Sequence, residues 1–389
     1  MRFGESFKIA SSTCRYLKYS FIWPPKHEEM TPPRAFYVRL AAALLTTFVS
    51  IFIPLVFHLV KSLQKRLDIS EDAAMIFSYI GLTSIMLTYA LNHKKLAILI
   101  RQLGDCDAFG TPPRFDDLNK KLNFYSDVTF IYATAAAIFY NLAKLVEMPR
   151  CKEERDFEIC GLIIPLSLPW RIQSWQFVVL LMFIGYCALT LTRVTIIVAV
   201  QILIISLNVK LRIDHLKVML SECFQEDFSE SRRRLGSCIR YHDQIVRCGD
   251  NKERVSLDLC FRWSKMMNDC FSLGMFSHVV VVGLICGSLE SQLMNHDVQA
   301  FGAILGWIVS LFFPCLAGQI LLDSSQSLAD AAYHTNWQQA DVRLAKYVVL
   351  LMMRSQRPLV ITAGPFNVLC FALFVSIMKF SYSVLTLLH

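Results

Sequence analysis

Residues 177–207 read FVVLLMFIGYCALTLTRVTIIVAVQILIISL, an unbroken apolar run interrupted by one charge, Arg193. As a helix this run measures about 46 Å, longer than the hydrocarbon core of a bilayer, so it is expected to span and then continue below it. Continuous runs of this length are too long for barrel strands, and lipid admits only helices or closed barrels. Six further runs share the character: Phe36 to Val60, Ala73 to Leu91, Val128 to Val146, Met267 to Leu289, Phe301 to Leu322 and Leu359 to Leu388. The expected fold is therefore an all-α membrane protein of seven transmembrane helices, with six or eight crossings as less supported alternatives because polar residues interrupt the second, third and fifth runs.

Composition agrees. Of 389 residues 54% are apolar and 18% charged, and mean hydropathy is +0.44. That excludes a disordered chain, a disulfide-dense secreted module and most soluble enzyme classes. The net charge of +8 falls mostly in short loops beside apolar runs, without a zinc-finger spacing or a stacking platform, so no nucleic-acid partner is expected. The first 35 residues are too polar for a signal peptide, and the first run reads as a retained anchor.

Charge bias sets the expected direction. Segments 1–34, 92–122, 208–262 and 323–358 hold 27 of the 39 Lys and Arg residues, whereas segments 61–72, 147–172 and 290–300 on the other side hold seven between them. The bias predicts an intracellular N-terminus and an extracellular C-terminus, opposite to a G-protein-coupled receptor. No Asp-Arg-Tyr ends the third run and no Asn-Pro-x-x-Tyr closes the seventh. The expected organisation is a cytosolic segment 1–34, helices one to four with an outer-half ligand pocket over 35–207, and a cytosolic extension and loop over 208–266. Helices five and six follow over 267–322, a cytosolic helical anchor region over 323–358 and a pore-lining seventh helix over 359–389. Pro358 separates the last two, giving a seventh helix in two parts.

No hydrolase elbow, phosphate loop, haem or zinc motif occurs, so no enzyme activity, cofactor or metal is expected. The outer halves of the runs offer apolar and aromatic lining with isolated hydroxyls: Phe77, Ile80 and Thr83; Tyr132, Ala136, Phe139 and Tyr140; Leu181, Phe183 and Tyr186; Val279 and Gly283; Gly306, Trp307 and Ser310. Small residues beside aromatics suit an apolar ligand with one polar handle; ordinary helix packing or lipid exposure is the alternative for each residue singly. The outer segment 147–172 is either a lid over that site or a surface loop whose apolar stretch Gly161 to Leu168 packs down. Cys151 and Cys160 within it are candidates for a disulfide. The last run is more polar, with Ser376, Lys379, Ser381, Tyr382, Ser383 and Thr386. It suits a water-lined path through Lys379, Tyr382 and Val384 with Leu385 and Leu388 as a dewetting constriction, or else a packed helix whose hydroxyls bond backbone. One such helix cannot enclose a pore, so several subunits would each contribute one.

The ending Lys379-Phe-Ser-Tyr-Ser-Val-Leu-Thr-Leu-Leu388, the preceding Gln356-Arg-Pro-Leu with Thr362-Ala-Gly364, and Tyr333-x-x-x-Trp337 resemble the insect odorant receptor family. Gustatory receptors share the architecture but commonly end in Thr-Tyr followed by an apolar run and Gln-Phe, whereas Ser381-Tyr382 here leads to Leu388-His389. The resemblance implies a ligand-tuning subunit of a heterotetrameric, odorant-gated, non-selective cation channel, assembled with a shared co-receptor in the plasma membrane of olfactory neuron dendrites. It implies a small volatile apolar or aromatic ligand, permeant monovalent and divalent cations and contact with membrane lipid. The second cytosolic loop is not enlarged as in the co-receptor. A G-protein-coupled chemosensory receptor and a gustatory-type channel are the alternatives; no inverted repeat supports a transporter.

Overall fold

The computed structural model describes residues 7–20, 22–24, 32–107, 109–154, 158–168, 173–224, 228–246, 262–294, 298–365 and 367–388. The chain order is α1 (Ser11–Tyr19), α2 (Arg34–Thr47), a π-helical turn (Phe48–Phe52), α3 (Ile53–Gln64), α4 (Ser70–Gly104), α5 (Phe115–Glu154), α6 (Ser174–Ser221) and α7 (Phe228–Val246). It continues with α8 (Arg262–Met294), α9 (Val298–Tyr333), α10 (Val342–Ser355), a two-stranded hairpin of β1 (Thr362–Ala363) and β2 (Asn367–Val368), and α11 (Phe371–Leu388). Among the described residues six helical paths are long and apolar enough to cross a membrane, the first being α2 with α3; α11 is a shorter apolar helix.

α6 is the axis of the bundle. Its middle is rich in Ile and Val, poor helix formers in water, yet Val194 through Ile202 are buried on every side. Away from water the backbone must pair within its own segment, which overrides side-chain propensity. A reciprocal pair between the Gln173 and Gln176 side chains and each other's backbone starts this helix. The Asp68 carboxylate accepts from Ser70 N at 2.9 Å to start α4, and Asp341 accepts from Arg343 N at 2.8 Å to start α10.

Polar residues inside the apolar helices meet one another. The Asn119 and Asn208 amides exchange two hydrogen bonds of 3.1 Å between α5 and α6. Tyr89 of α4 donates to the Gln201 side chain. Arg193 donates from Nε to Thr134 Oγ1 at 2.9 Å and lies over the Phe130 ring. At the lower end of α4 the buried Arg212 guanidinium donates to the carbonyls of Leu103 and Asp105, which a helix C-terminus leaves unpaired.

Two boundaries differ from the sequence expectation. The seventh apolar run, 359–388, is not one helix: α11 begins at Phe371, and 359–369 turns back as the hairpin. Pro358 and Pro365 lack N–H donors, and Gly364 stands at φ +70° with Phe276 so close that a Cβ would meet its ring. α8 supplies the partners: Asn268 Oδ1 accepts from Thr362 N at 2.8 Å and Ser272 Oγ accepts from Gly364 N at 3.0 Å. Nor is there a break at 322, because α9 runs on to Tyr333 as one helix. Hydropathy marks where lipid ends, and a helix has no reason to end there.

Candidate ligand site and terminal helix

At the end of the bundle where α5 stops and α6 starts, the segment Ile159–Ser167 folds inward. Leu162 and Leu166 are buried with Leu55 and Ile184, and Met75, Ile76, Phe177, Leu181 and Phe183 pack around them. Polar links pin both flanks. His58 Nδ1 lies 2.6 Å from Asp72 Oδ1 and its Nε2 lies 3.4 Å from Glu158 Oε2, so the buried ring bridges α3, α4 and the inserted segment. Lys61 Nζ donates to Ser167 Oγ at 2.9 Å, Ser167 N donates to the Pro54 carbonyl, and a disulfide joins Cys151 to Cys160. The segment packs against α3, α4 and α6 at this end of the bundle.

The sequence-selected lining residues divide by helix face. Phe77 and Trp307 are half-buried around the apolar cluster of Ala74, Val281, Ile285, Leu289, Ala300 and Ile304. Leu181 and Phe183 touch the inserted segment, Val279 is buried, and Ser310 is buried with its hydroxyl 2.7 Å from the Trp307 carbonyl. Gly283 is buried where α8 meets Phe380 of α11, which makes it a helix-packing contact. Thr83 turns its hydroxyl back to the Tyr79 carbonyl at 2.7 Å, and Tyr140 is half-buried. Ile80, Tyr132, Ala136, Phe139, Tyr186 and Gly306 face outward in the isolated protomer, Phe139 at 73% exposure. On α5 the inward face is Ala133, Ala137 and Asn141, one residue out of phase with the aromatic positions. Aromatic side chains are as well solvated by lipid tails as by protein, so their identity does not reveal which face turns inward.

The inward face also holds two groups absent from that set. His278 of α8 is buried with Nε2 3.3 Å from Ser310 Oγ, and its Nδ1 has no hydrogen-bond partner among the described residues. Tyr79 of α4 meets Thr47 Oγ1 at 3.3 Å and packs on Phe52. A histidine midway along the apolar run 267–289 is the sequence signal for the first.

α11 is built on two faces. Leu373, Ser381 and Val384 turn to α8, where Gly287 admits Val384 and the Ser381 carbonyl so closely that a Cβ would lie 2.6 Å from Val384 Cβ. The opposite stripe, Ser376, Lys379, Ser383 and Thr386, repeats at three- and four-residue spacing and is exposed along its length. Its hydroxyls donate to carbonyls within α11 at 2.8 to 3.3 Å. Tyr382 is exposed beside the stripe and Leu385 is half-buried; the Leu388 side chain lies outside the described residues. Glu290, near the end of α8, accepts from Ser381 Oγ at 3.2 Å. No cluster of His, Cys, Asp or Glu among the described residues has the makings of a metal site.

A family model described as 7tm Odorant receptor matches residues 65–382, from the end of α3 into the polar stripe of α11. The chain belongs to the odorant receptor family. This receptor is 22% identical over 335 residues to Odorant receptor 85c of Drosophila melanogaster, covering 82% of each chain. It is equally identical over 336 residues to Odorant receptor 85b of the same species, again with 82% coverage. Its fold matches that of the olfactory receptor OR5 of Machilis hrabei, solved alone at TM-score 0.76 and with eugenol at 0.75, with 13% and 12% identity and 96 to 97% coverage. The odorant receptor is thus a multi-pass membrane protein and a receptor, not an enzyme.

Proposed function

We propose that this receptor is the odorant-tuning subunit of a heterotetrameric, odorant-gated, non-selective cation channel, assembled with a co-receptor in the plasma membrane of olfactory neuron dendrites. One observation carries the reading: a polar stripe with a lysine runs along an otherwise apolar helix, turned away from its own protomer. An ammonium facing lipid tails is costly, whereas one facing water is not. A single helix cannot surround water, so the stripe calls for a ring of terminal helices, one from each subunit. Lys379 and Tyr382 then face the path, Leu385 and Leu388 narrow it by excluding water, and Val384 anchors the helix to α8. With the N-terminus inside, α7, α10 and the lower part of α9 form the cytosolic anchor.

The odorant occupies the apolar cleft under the inserted segment, among Phe77, Leu181, Phe183, Trp307 and Ser310. A small aromatic volatile fits this lining by area burial and stacking, with a hydroxyl or imidazole as its polar handle; the related receptor from Machilis hrabei was solved with such a compound. Binding opens the ring only by the margin with which it favours the open arrangement, whatever the affinity itself.

The test is membrane-current recording of the chain alone and with a co-receptor across an odorant panel. Odorant-evoked current that needs the co-receptor and survives G-protein blockade is expected. Current abolished by that blockade would instead establish metabotropic signalling, which the positive-inside bias of the loops already disfavours.

A further inference from the structure

Nine cysteines among the described residues are free, and eight of them are buried. Two face each other. Cys223, just beyond the C-terminus of α6, and Cys238, in the middle of α7, hold their sulfurs 3.3 Å apart at 0% and 1% exposure. They share an apolar cluster with Leu220, Leu235 and Tyr241, so neither sulfur has room to turn elsewhere without repacking. A disulfide needs sulfurs about 2 Å apart, so little more than one ångström of approach separates the pair from bonding. The full length of α6 lies between them and the closed Cys151–Cys160 disulfide at the other end of the bundle. On the charge-bias orientation the closed bond faces the oxidising exterior and the open pair faces the reducing cytosol.

We propose that Cys223 and Cys238 form a peroxide-sensitive thiol switch that locks α7 to the end of α6. The two thiols are unequal. The sulfur–sulfur contact, in which either thiol can donate, and the nearby Arg234 hold the Cys223 thiol below its ordinary value, while the same contact and burial push Cys238 up. Cys223 is therefore the nucleophile and Cys238 the resolving thiol. The Cys223 sulfur attacks one oxygen of hydrogen peroxide, breaking the O–O bond, and becomes a sulfenic acid as water leaves. The Cys238 sulfur then attacks the sulfenic sulfur and displaces a second water. Two thiols and one peroxide become one disulfide and two waters, with one electron lost by each sulfur and two gained by the peroxide. The closed bond ties α7 covalently to the helix that forms the axis of the bundle.

The full chain in membrane vesicles, reduced and then titrated with hydrogen peroxide, is alkylated, digested and analysed by mass spectrometry. A peptide linking Cys223 to Cys238 is expected at peroxide levels at least several-fold below those that oxidise Cys286 or Cys315, and thiol reductant reverses it. The same oxidation slows tryptic cleavage at the exposed Arg232 and Arg233 several-fold. In Cys238→Ser, Cys223 accumulates as a trappable sulfenic acid; in Cys223→Ser, Cys238 stays a thiol. Overoxidation of Cys223 without a link in the unmodified chain overturns the proposal, as does a pair that remains reduced until Cys286 and Cys315 react. The readings on the unmodified chain decide the matter even where a variant fails to reach the membrane, and none depends on channel activity.

Discussion

Asn208 illustrates how single polar residues hold this bundle together. Its amide exchanges hydrogen bonds with Asn119 across the α5–α6 contact and also donates to the Ile204 carbonyl. Asn208→Leu strips the buried Asn119 of one donor and one acceptor, and a loss of about 1 to 2 kcal/mol is expected. Thermal unfolding in detergent measures it. The double variant with Asn119→Leu should lose less than the two single losses combined, since both asparagines make one interaction. His242 makes a different kind of residue-scale argument. Burial first, and then the neighbouring Arg354 guanidinium, hold its imidazole down to about 4 against an ordinary 6.5. The unfolded chain therefore binds a proton that the folded chain refuses between these values. The stabilisation is complete above pH 6.5 and lost as pH falls toward 4. The melting temperature of the purified receptor should drop across that window, and His242→Gln should flatten the slope.

At the scale of elements, close approach and tethering do the positioning. α11 reaches α8 because Gly287 has no side chain, and Gly287→Ala places a Cβ 2.7 Å from the Ser381 carbonyl. Backbone has to give way, so destabilisation of about 1 to 3 kcal/mol with a displaced terminal helix is expected. Lower thermal stability together with altered odorant-evoked current distinguishes this from simple loss of expression. The inserted segment depends on a disulfide across positions nine apart in sequence, backed by the His58 bridge and the Lys61–Ser167 bond. Cys151→Ser with Cys160→Ser releases a short loop, worth roughly 2 to 3 kcal/mol of chain entropy. Faster proteolysis of the segment and a faster odorant off-rate are expected; an unchanged off-rate would separate the segment from the ligand path.

For the molecule as a whole, the terminal helix decides what the receptor is. Hydropathy sets it apart only by its hydroxyls and one lysine, which point to a water-lined helix with a packed helix as the alternative. Ser376, Lys379, Ser383 and Thr386 stand exposed on one face of α11, as the proposed water-lined path requires. Lys379 places a positive charge beside the proposed cation path, and like charges repel divalent ions more strongly than monovalent ones. Lys379→Gln should therefore raise the permeability of divalent relative to monovalent cations, read as a shift in reversal potential. A shift of zero with normal surface expression would return the stripe to a lipid or subunit contact. An epitope at the C-terminus should label from outside intact cells.

Legible along the chain alone were the long apolar helices, the charge bias between their connecting segments, the terminal motif and the candidate pairing of Cys151 with Cys160. These rest on length, charge and residue identity, which solvent and lipid read directly along the chain. Which face of each helix turns inward was settled by packing, because in a bilayer Tyr132 or Phe139 is as comfortable against lipid as against protein. The tertiary structure likewise decided that 359–369 is a hairpin, since its apolar residues look the same to a hydropathy count while their backbone bonds go to Asn268 and Ser272 of α8. The same holds for His58, His278 and the Cys223–Cys238 pair. Each is defined by a partner distant along the chain, and only packing brings such partners within reach.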